Sequence, residues 1–207
     1  MPDLIVHVID DDDAIRDSIE FLLRSAQMNV RAYESAGAFL QELPTAAAGC
    51  IVTDVRMPEM SGIDLLRRLQ DLKVHMPVIV ITGHGDVPLA VEAMKIGAVD
   101  FLEKPFNDDV LIASVKAALG RSKERSERDA GQMELQSRLD TLSNRESDVL
   151  EGLVRGHPNK TIAYDLGISA RTVEIYRAHV MTKMKATSLS ELVRMAFIAR
   201  PVHPADK

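Results

Sequence analysis

Four apolar runs in the first half of the chain each end on residues that could do chemistry. Residues 4–9 end at Asp10 and Asp11, and residues 50–53 end at Asp54. Residues 78–81 end at Thr82, and residues 99–103 end at Lys104-Pro105. If these runs are parallel strands of one sheet, all four ends share its carboxyl edge, where open α/β sheets bind ligands. Three carboxylates, a hydroxyl and an ammonium then converge. Magnesium takes oxygen ligands and is commonly held by one or two carboxylates plus substrate phosphate, so Asp10, Asp11 and Asp54 suit it. One carboxylate can attack a phosphoryl donor and form an acyl phosphate. Lys104 and the cation would neutralise the charge, which is most of what phosphoryl transfer asks of a protein. Thr82 could bond a phosphoryl oxygen. Singly, each residue has a plainer reading. Asp10–Asp13 could be a helix N-terminus favoured by the macrodipole, Asp54 a turn residue, and Lys104 a solvated charge. Their placement at four strand ends in order favours the phosphoryl site.

The elements that must position these residues follow from periodicity. Helical patterns lie near 13–26, 35–43, 61–72, 87–95 and 107–120, with strand-like runs near 4–9, 29–33, 49–53, 78–82 and 99–102. Five repeats of strand then helix predict a five-stranded parallel, doubly wound, flavodoxin-like sheet with helices on both faces. The runs at 4–9, 49–53 and 78–82 are almost wholly apolar, as strands buried on both sides are. Val30, Arg31, Ala32 and Tyr33 alternate, which predicts an edge strand. Asp12 or Asp13 is the natural cap of the first helix.

The chain has 207 residues and is 46 % hydrophobic, enough for one ordinary domain plus a smaller one. No apolar stretch is long enough for a membrane span, and no secretory leader is visible, so a cytoplasmic protein without membrane attachment is expected. Cys50, the single cysteine, lies inside an apolar run and reads as a reduced core residue. The net charge of −6 is unevenly spread. Residues 1–120 hold 10 Lys and Arg against 19 Asp and Glu, while residues 121–207 hold 15 against 12. That asymmetry hints that the second half meets a polyanion.

Residues 123–140 are dense in charge and predict a linker, either disordered or an exposed helix. Gly120 and Gly131 argue against an unbroken one. From residue 141 every pattern is helical and four short helices are expected. Ser143-x-x-Glu146 and Ser188-x-x-Glu191 read as capping boxes. Ile162, Ala163 and Leu166 form an apolar helix face, Gly167 suits a left-handed helix end, and Ser169 suits the next N-cap. Val173, Tyr176 and Val180 would face inward, leaving Arg171, Thr172, Glu174, Ile175, Arg177 and Ala178 outside. This is a helix-turn-helix pattern whose second helix could enter a major groove.

The motifs Val8-Ile-Asp-Asp-Asp-Asp-Ala, Thr53-Asp-Val-Arg-Met-Pro-Glu-Met-Ser-Gly62, Ile81-Thr-Gly-His-Gly-Asp86 and Phe101-Leu-Glu-Lys-Pro-Phe106 together resemble a response-regulator receiver domain, over residues 1–122. The resemblance implies that Asp54 accepts a phosphoryl group from a sensor histidine kinase. It also implies Mg2+ ligation by Asp11, Asp54 and the backbone carbonyl of Arg56, with Asp10 acting mainly through water. Lys104 would pair with the phosphoryl group across a cis Lys-Pro bond, and Thr82 and Phe101 would be the switch pair. Phe101 stands where many relatives have Tyr, so switching would rest on its burial alone. Arg56 and His84 would flank the path of attacking water and tune the lifetime of the phosphate. Val91 and Lys95 would lie on a face that forms a homodimer on phosphorylation.

Leu142-Ser-Asn-Arg-Glu-Ser-Asp-Val-Leu, Gly156-x-x-Asn-Lys-x-Ile-Ala and Val180-Met-x-Lys-Met resemble the LuxR/NarL-type DNA-binding domain, so residues 141–207 are expected to form one. That resemblance implies base-edge contacts to double-stranded DNA from Glu174, Ile175 and Ala178. Phosphate or backbone contacts would come from Lys160, Thr172, Arg177 and Lys183. The last helix would add core and a dimer surface, and RNA polymerase is an implied partner. The wording of residues 83–94 and 98–106 is similar to the nitrogen-fixation branch of the family. There the kinase is a haem-based, oxygen-responsive FixL-like sensor and the output is activation of nitrogen-fixation and microaerobic genes. Regulators of other pathways share much of that wording. Two rival classes remain: an Asp-nucleophile phosphatase, disfavoured by Ala14 and by the lack of a later acidic pair, and a phosphate-independent DNA-binding protein with a decayed receiver.

Overall fold

Period-two alternation within the strands builds two cores at once. The computed structural model describes residues 4–83 and 87–199, which form two compact units dividing at residue 126. In the first, β1 (Ile5–Ile9), β2 (Asn29–Tyr33), β3 (Gly49–Asp54), β4 (Val78–Thr82) and β5 (Asp100–Glu103) make one parallel sheet in the order β2-β1-β3-β4-β5. The topological switch point therefore lies between β1 and β3. Helices α1 (Asp13–Ser25), α2 (Ala36–Glu42), α3 (Gly62–Asp71) and α4 (Val87–Ile96) connect the strands, and a 3-10 turn at Leu43–Thr45 follows α2. Ile9, Ile51, Val78 and Val80 pack with Phe39, Leu65, Leu66, Leu69 and Ala93 on one face. Val6, Val8, Cys50, Val52, Ile79 and Ile81 pack with Ile19, Leu23, Leu111 and Val115 on the other. β2 is an edge strand, as its alternation predicts.

Local chemistry sets the ends. Asp12 caps α1 by accepting from the amides of Ala14 and Ile15, and Ser35 and Ser61 cap α2 and α3. A Cβ on Gly49 would stand 1.7 Å from the Ile5 carbonyl oxygen, so β3 can begin beside β1 only with glycine there. His7, fully buried on β1, packs against Tyr33 and Phe39. Its Nε2 lies 3.0 Å from the Ala47 carbonyl oxygen and must donate, so Nδ1 accepts from the Tyr33 hydroxyl at 3.2 Å. Burial pushes the imidazole pKa down and keeps the ring neutral.

Helix α5 runs unbroken over Asp108–Asp140, longer than the 107–120 pattern predicts. Neither Gly120 nor Gly131 interrupts it. Each costs about 1 kcal/mol against Ala, and the flanking Lys, Arg, Glu and Ala are strong helix formers. Pairs one turn apart add support: Arg138 with Glu134, and Gln136 with Asp140. No helix among the described residues is long and apolar enough to cross a membrane.

The second unit adds α6 (Asn144–Val154), α7 (Asn159–Leu166), α8 (Ala170–Met184) and α9 (Leu189–Ala199). Leu139, Val149, Leu150, Leu153, Ile162, Val173, Val180, Met184 and Leu192 form its core. The Ser143–Glu146 capping box is complete. The expected Ser188–Glu191 box is half made: Ser188 Oγ accepts from the Glu191 amide, but the Glu191 carboxylate turns to the amide and hydroxyl of Thr187. Thr187 offers two donors where Ser188 would offer one.

Phe39 is fully buried between His7 and Tyr33. Phe39→Ala should destabilise the first unit by about 3–5 kcal/mol. Urea denaturation followed separately in the two units should show the second transition unmoved.

Candidate phosphoryl site and nucleic-acid interface

Parallel strands in register bring Asp10, Asp54, Thr82 and Lys104 to one edge of the sheet. Asp10 is 2 % exposed, Asp54 8 % and Thr82 1 %. Lys104 Nζ lies between the two carboxylates, donating to Asp10 Oδ2 at 3.0 Å and Asp54 Oδ1 at 2.5 Å. The Lys104-Pro105 bond is cis, and the Lys104 amide donates to the Thr82 carbonyl oxygen at 2.7 Å, extending the β4–β5 ladder. Asp10 is further fixed by the Asp12 amide on its Oδ1 at 3.0 Å, and its carbonyl accepts from Arg16 at 2.8 Å. Asp54 Oδ2 accepts from the Arg56 amide at 2.6 Å. A Cβ on Gly62 would stand 2.2 Å from the Asp54 carbonyl oxygen, so glycine lets α3 start directly against the site. Gly62 closes the Thr53–Gly62 motif, whereas Arg16 carries no motif signal of its own.

Burial and hydrogen bonding oppose each other at this site. Burial raises the Asp10 carboxyl above its ordinary range, and the hydrogen bond from Lys104 and the amide of Asp12 only partly offset it. Burial alone would lower the Lys104 ammonium, but hydrogen bonds to Asp54 and Asp10 outweigh it and the net shift is upward.

Asp11 is exposed beside the pair, on a cleft it shares with Arg56, Met57, Asp64, Arg67 and Glu92. Among the described residues no three His, Cys, Asp or Glu side chains gather as a metal cluster. Phe101 is half-buried and packs on the α2–α4 face of the sheet. Val91 (49 % exposed), Met94 and Lys95 are exposed on α4. His84 lies outside the described residues.

In the second unit Gly167 takes the left-handed conformation (φ 65°) that ends α7, and Ser169 Oγ caps α8 by accepting from the Thr172 amide at 3.0 Å. Val173, Val180 and Met184 hold the inner face of α8. Glu174, Ile175 and Ala178 are exposed along its outer face, with Thr172 and Arg177 half-buried beside them. Lys160, Glu174 and Arg177 line one cleft between α7 and α8, so the acid sits among cations. Lys183 turns elsewhere: its ammonium donates to Glu146 Oε2 at 2.6 Å and to the Thr141 carbonyl oxygen at 3.0 Å.

Comparison with known proteins agrees with this arrangement. Residues 6–116 match the response regulator receiver domain family, and residues 140–196 match the family of bacterial regulatory proteins of the luxR type. The chain belongs to the response regulators, with a receiver domain followed by a helix-turn-helix domain of the luxR family; it is a transcriptional regulator, not an enzyme. Over all 207 of its residues it is 61 % identical to the transcriptional regulatory protein FixJ of Azorhizobium caulinodans, covering 98 % of that protein. Full-length FixJ from B. japonicum is 50 % identical and superposes with a TM-score of 0.60, over 98 % of this chain and all of that one. The response regulator StyR is 39 % identical and superposes at 0.85, over 94 % of this chain and 98 % of that one.

Glu146 supplies a pH test of the second unit. Lys183 and the Ser143 amide hold its carboxyl at about 2 against an ordinary 4.5. A carboxyl depressed by folding contributes stability above its unfolded value and loses it as pH falls toward its folded one. Glu146→Gln should therefore lower the unfolding midpoint of this unit near neutral pH. In urea titrations at stepped pH, the gap from wild type should narrow below about 4.5; a gap that stays constant would assign the loss to packing.

Proposed function

We propose that Asp54 is the phosphoacceptor of a two-component system and that its modification promotes dimerisation and DNA binding. The observation that carries this reading is the Lys104 ammonium poised between two buried carboxylates at the sheet edge, in a chain so similar to FixJ. A phosphoryl group on Asp54 brings anionic oxygens to the place where Lys104 now meets Asp54 Oδ1, and the ammonium is already within reach of them. The Asp54 carboxylate attacks phosphorus, the P–N bond to the kinase histidine breaks (the P–O bond when acetyl phosphate is the donor), the imidazole departs and takes up a proton, and the product is an acyl phosphate. Asp10, Asp11, Asp54 and the backbone carbonyl of Arg56 would hold Mg2+. The donor set is all oxygen, and one or two direct carboxylates are what magnesium needs when substrate phosphate and water complete its shell, which leaves Asp10 to act mainly through water. When bound, the cation would neutralise charge on the transferring group. Arg56 and His84 tune the lifetime of the phosphate by governing the approach of water.

The output follows from the same residues. Thr82 moves toward the phosphoryl group and Phe101 follows it inward, reshaping the α4–β5 face, where Val91 and Lys95 meet a second copy. In the paired state Glu174, Ile175 and Ala178 of α8 read base edges, while Lys160, Thr172 and Arg177 contact the DNA backbone. Bound protein activates transcription through RNA polymerase. The likeness to FixJ supports a FixL-like, oxygen-responsive histidine kinase as donor, and nitrogen-fixation or microaerobic genes as targets.

Intact mass after incubation with magnesium and acetyl phosphate tests the central step. Wild type should gain one phosphoryl adduct, and Asp54→Asn should fold normally and gain none. An adduct that persists in Asp54→Asn would overturn the assignment.

A further inference from the structure

We infer that Lys183 serves DNA reading as a positioning residue, clasped by Glu146 so as to hold α8 on the bundle, and not as a contact to the DNA backbone. The inference rests on α8 being the DNA-reading helix, as proposed above.

The N-terminal end of α8 is fixed by the Gly167 turn and the Ser169 cap. Its other end is fixed by side chains that a backbone contact would need free. Lys183 follows the buried Val180 and precedes the buried Met184, and two of its three ammonium donors are spent on Glu146 and on the Thr141 carbonyl. Glu146 is only 4 % exposed. The same Oε2 that takes Lys183 at 2.6 Å accepts from the Ser143 amide at 2.8 Å, so one oxygen both closes the cap of α6 and ties α8 to it. His179, one turn earlier on α8, places Nδ1 3.6 Å from the other carboxylate oxygen. Arg138, in the last turn of α5, donates to the Met184 carbonyl oxygen at 3.0 Å and so holds the end of the helix. Three segments thus converge on the last turn and a half of α8.

Charge decides what Lys183 can do. A backbone contact strengthens binding by exchanging protein cations for counterions condensed on DNA. A lysine already paired with a buried carboxylate brings little net charge to that exchange. Removing it, however, strands Glu146 without its cation, which is costly for a buried charge. The C-terminal half of α8 would then keep its apolar seat and the Arg138 bond to the Met184 carbonyl but lose its tie to Thr141 and its ammonium bond to Glu146. Base reading needs hydrogen-bond geometry on the groove edge, whereas backbone attraction tolerates misplacement. Loss of the clasp therefore damages discrimination more than general affinity.

The test uses the full chain treated with magnesium and acetyl phosphate. The probes are a duplex that wild type selects from a randomised pool and a mixed-sequence duplex of equal length. Lys183→Ala and Glu146→Gln should each lower the ratio of selected to mixed affinity by about tenfold, and the double variant should do no worse than the poorer single one. On the mixed duplex, the slope of log affinity against log salt should stay at the wild-type value. Arg177→Ala, as a backbone-contact reference, should lower that slope by about 0.9 per protomer, about 1.8 for the dimer. Lys183→Gln keeps donors for Glu146 and Thr141 without the charge and should lose less discrimination than Lys183→Ala at an unchanged salt slope, a result that decides the matter if Glu146→Gln fails to fold by circular dichroism. If Lys183→Ala weakens both duplexes equally and reduces the slope by about 0.9 per protomer, Lys183 is a backbone contact and the inference is overturned. A wild-type chain that selects no sequence would overturn the assignment of α8 itself, and the clasp with it.

Discussion

One ammonium between two buried carboxylates sets the terms for the first unit. Lys104 reaches Asp10 and Asp54 only because β1, β3, β4 and β5 run parallel, in register, and end together. A slip of one residue in any of them would turn its anchor to the opposite face. The features that seem incidental in sequence, Gly49 where β3 starts and Gly62 where α3 starts, are the ones that permit this closeness. Two apolar layers, one on each face of the sheet, then keep the strand ends from moving to relieve the charge.

Much of this was legible in the chain. Apolar runs ending on Asp10, Asp54, Thr82 and Lys104 located the sheet and the site together, because a strand buried on both faces must be apolar until it ends. The alternation at 30–33 located an edge strand. Local capping chemistry identified Ser143, Glu146 and Ser169 for the same reason: a cap involves residues only a few positions apart. The helix-turn-helix was readable from Gly167 and its flanking apolar positions.

What was not legible depended on distance or on competition. The length of α5 turned on whether two glycines outweigh a run of strong helix formers, and the penalties were too small to break it. Glu191 chose Thr187 over Ser188 because a second donor was offered, a preference that spacing cannot express. His7 looked like one more residue in a strand. Its buried bonds to Tyr33 and to the Ala47 carbonyl depend on the turn after α2. Lys183 carries a family expectation of DNA contact, yet its partners, Glu146 and Thr141, are about forty residues away in sequence.

Both units pair a lysine with a buried, hydrogen-bonded carboxylate, and the difference lies in how far those bonds offset burial. Glu146 has the Ser143 amide and Lys183 on one oxygen and His179 near the other, and its carboxyl is held down at about 2. Nothing is gained there by bringing in another cation, so the arrangement is a joint. Asp10 shares its lysine with Asp54, and burial raises its carboxyl despite that lysine. Two anions with one cation between them, at a sheet edge with the exposed Asp11 alongside, favour the arrival of further positive charge. A divalent cation would supply it, as in the phosphoryl chemistry proposed for Asp54. A buried carboxylate that folding has left undercompensated marks a site for chemistry, while one that folding has fully paired marks a fixed contact. By that measure the Lys104 pocket fits the chemistry proposed for it, and the Glu146 clasp is a fixed joint between α6 and α8.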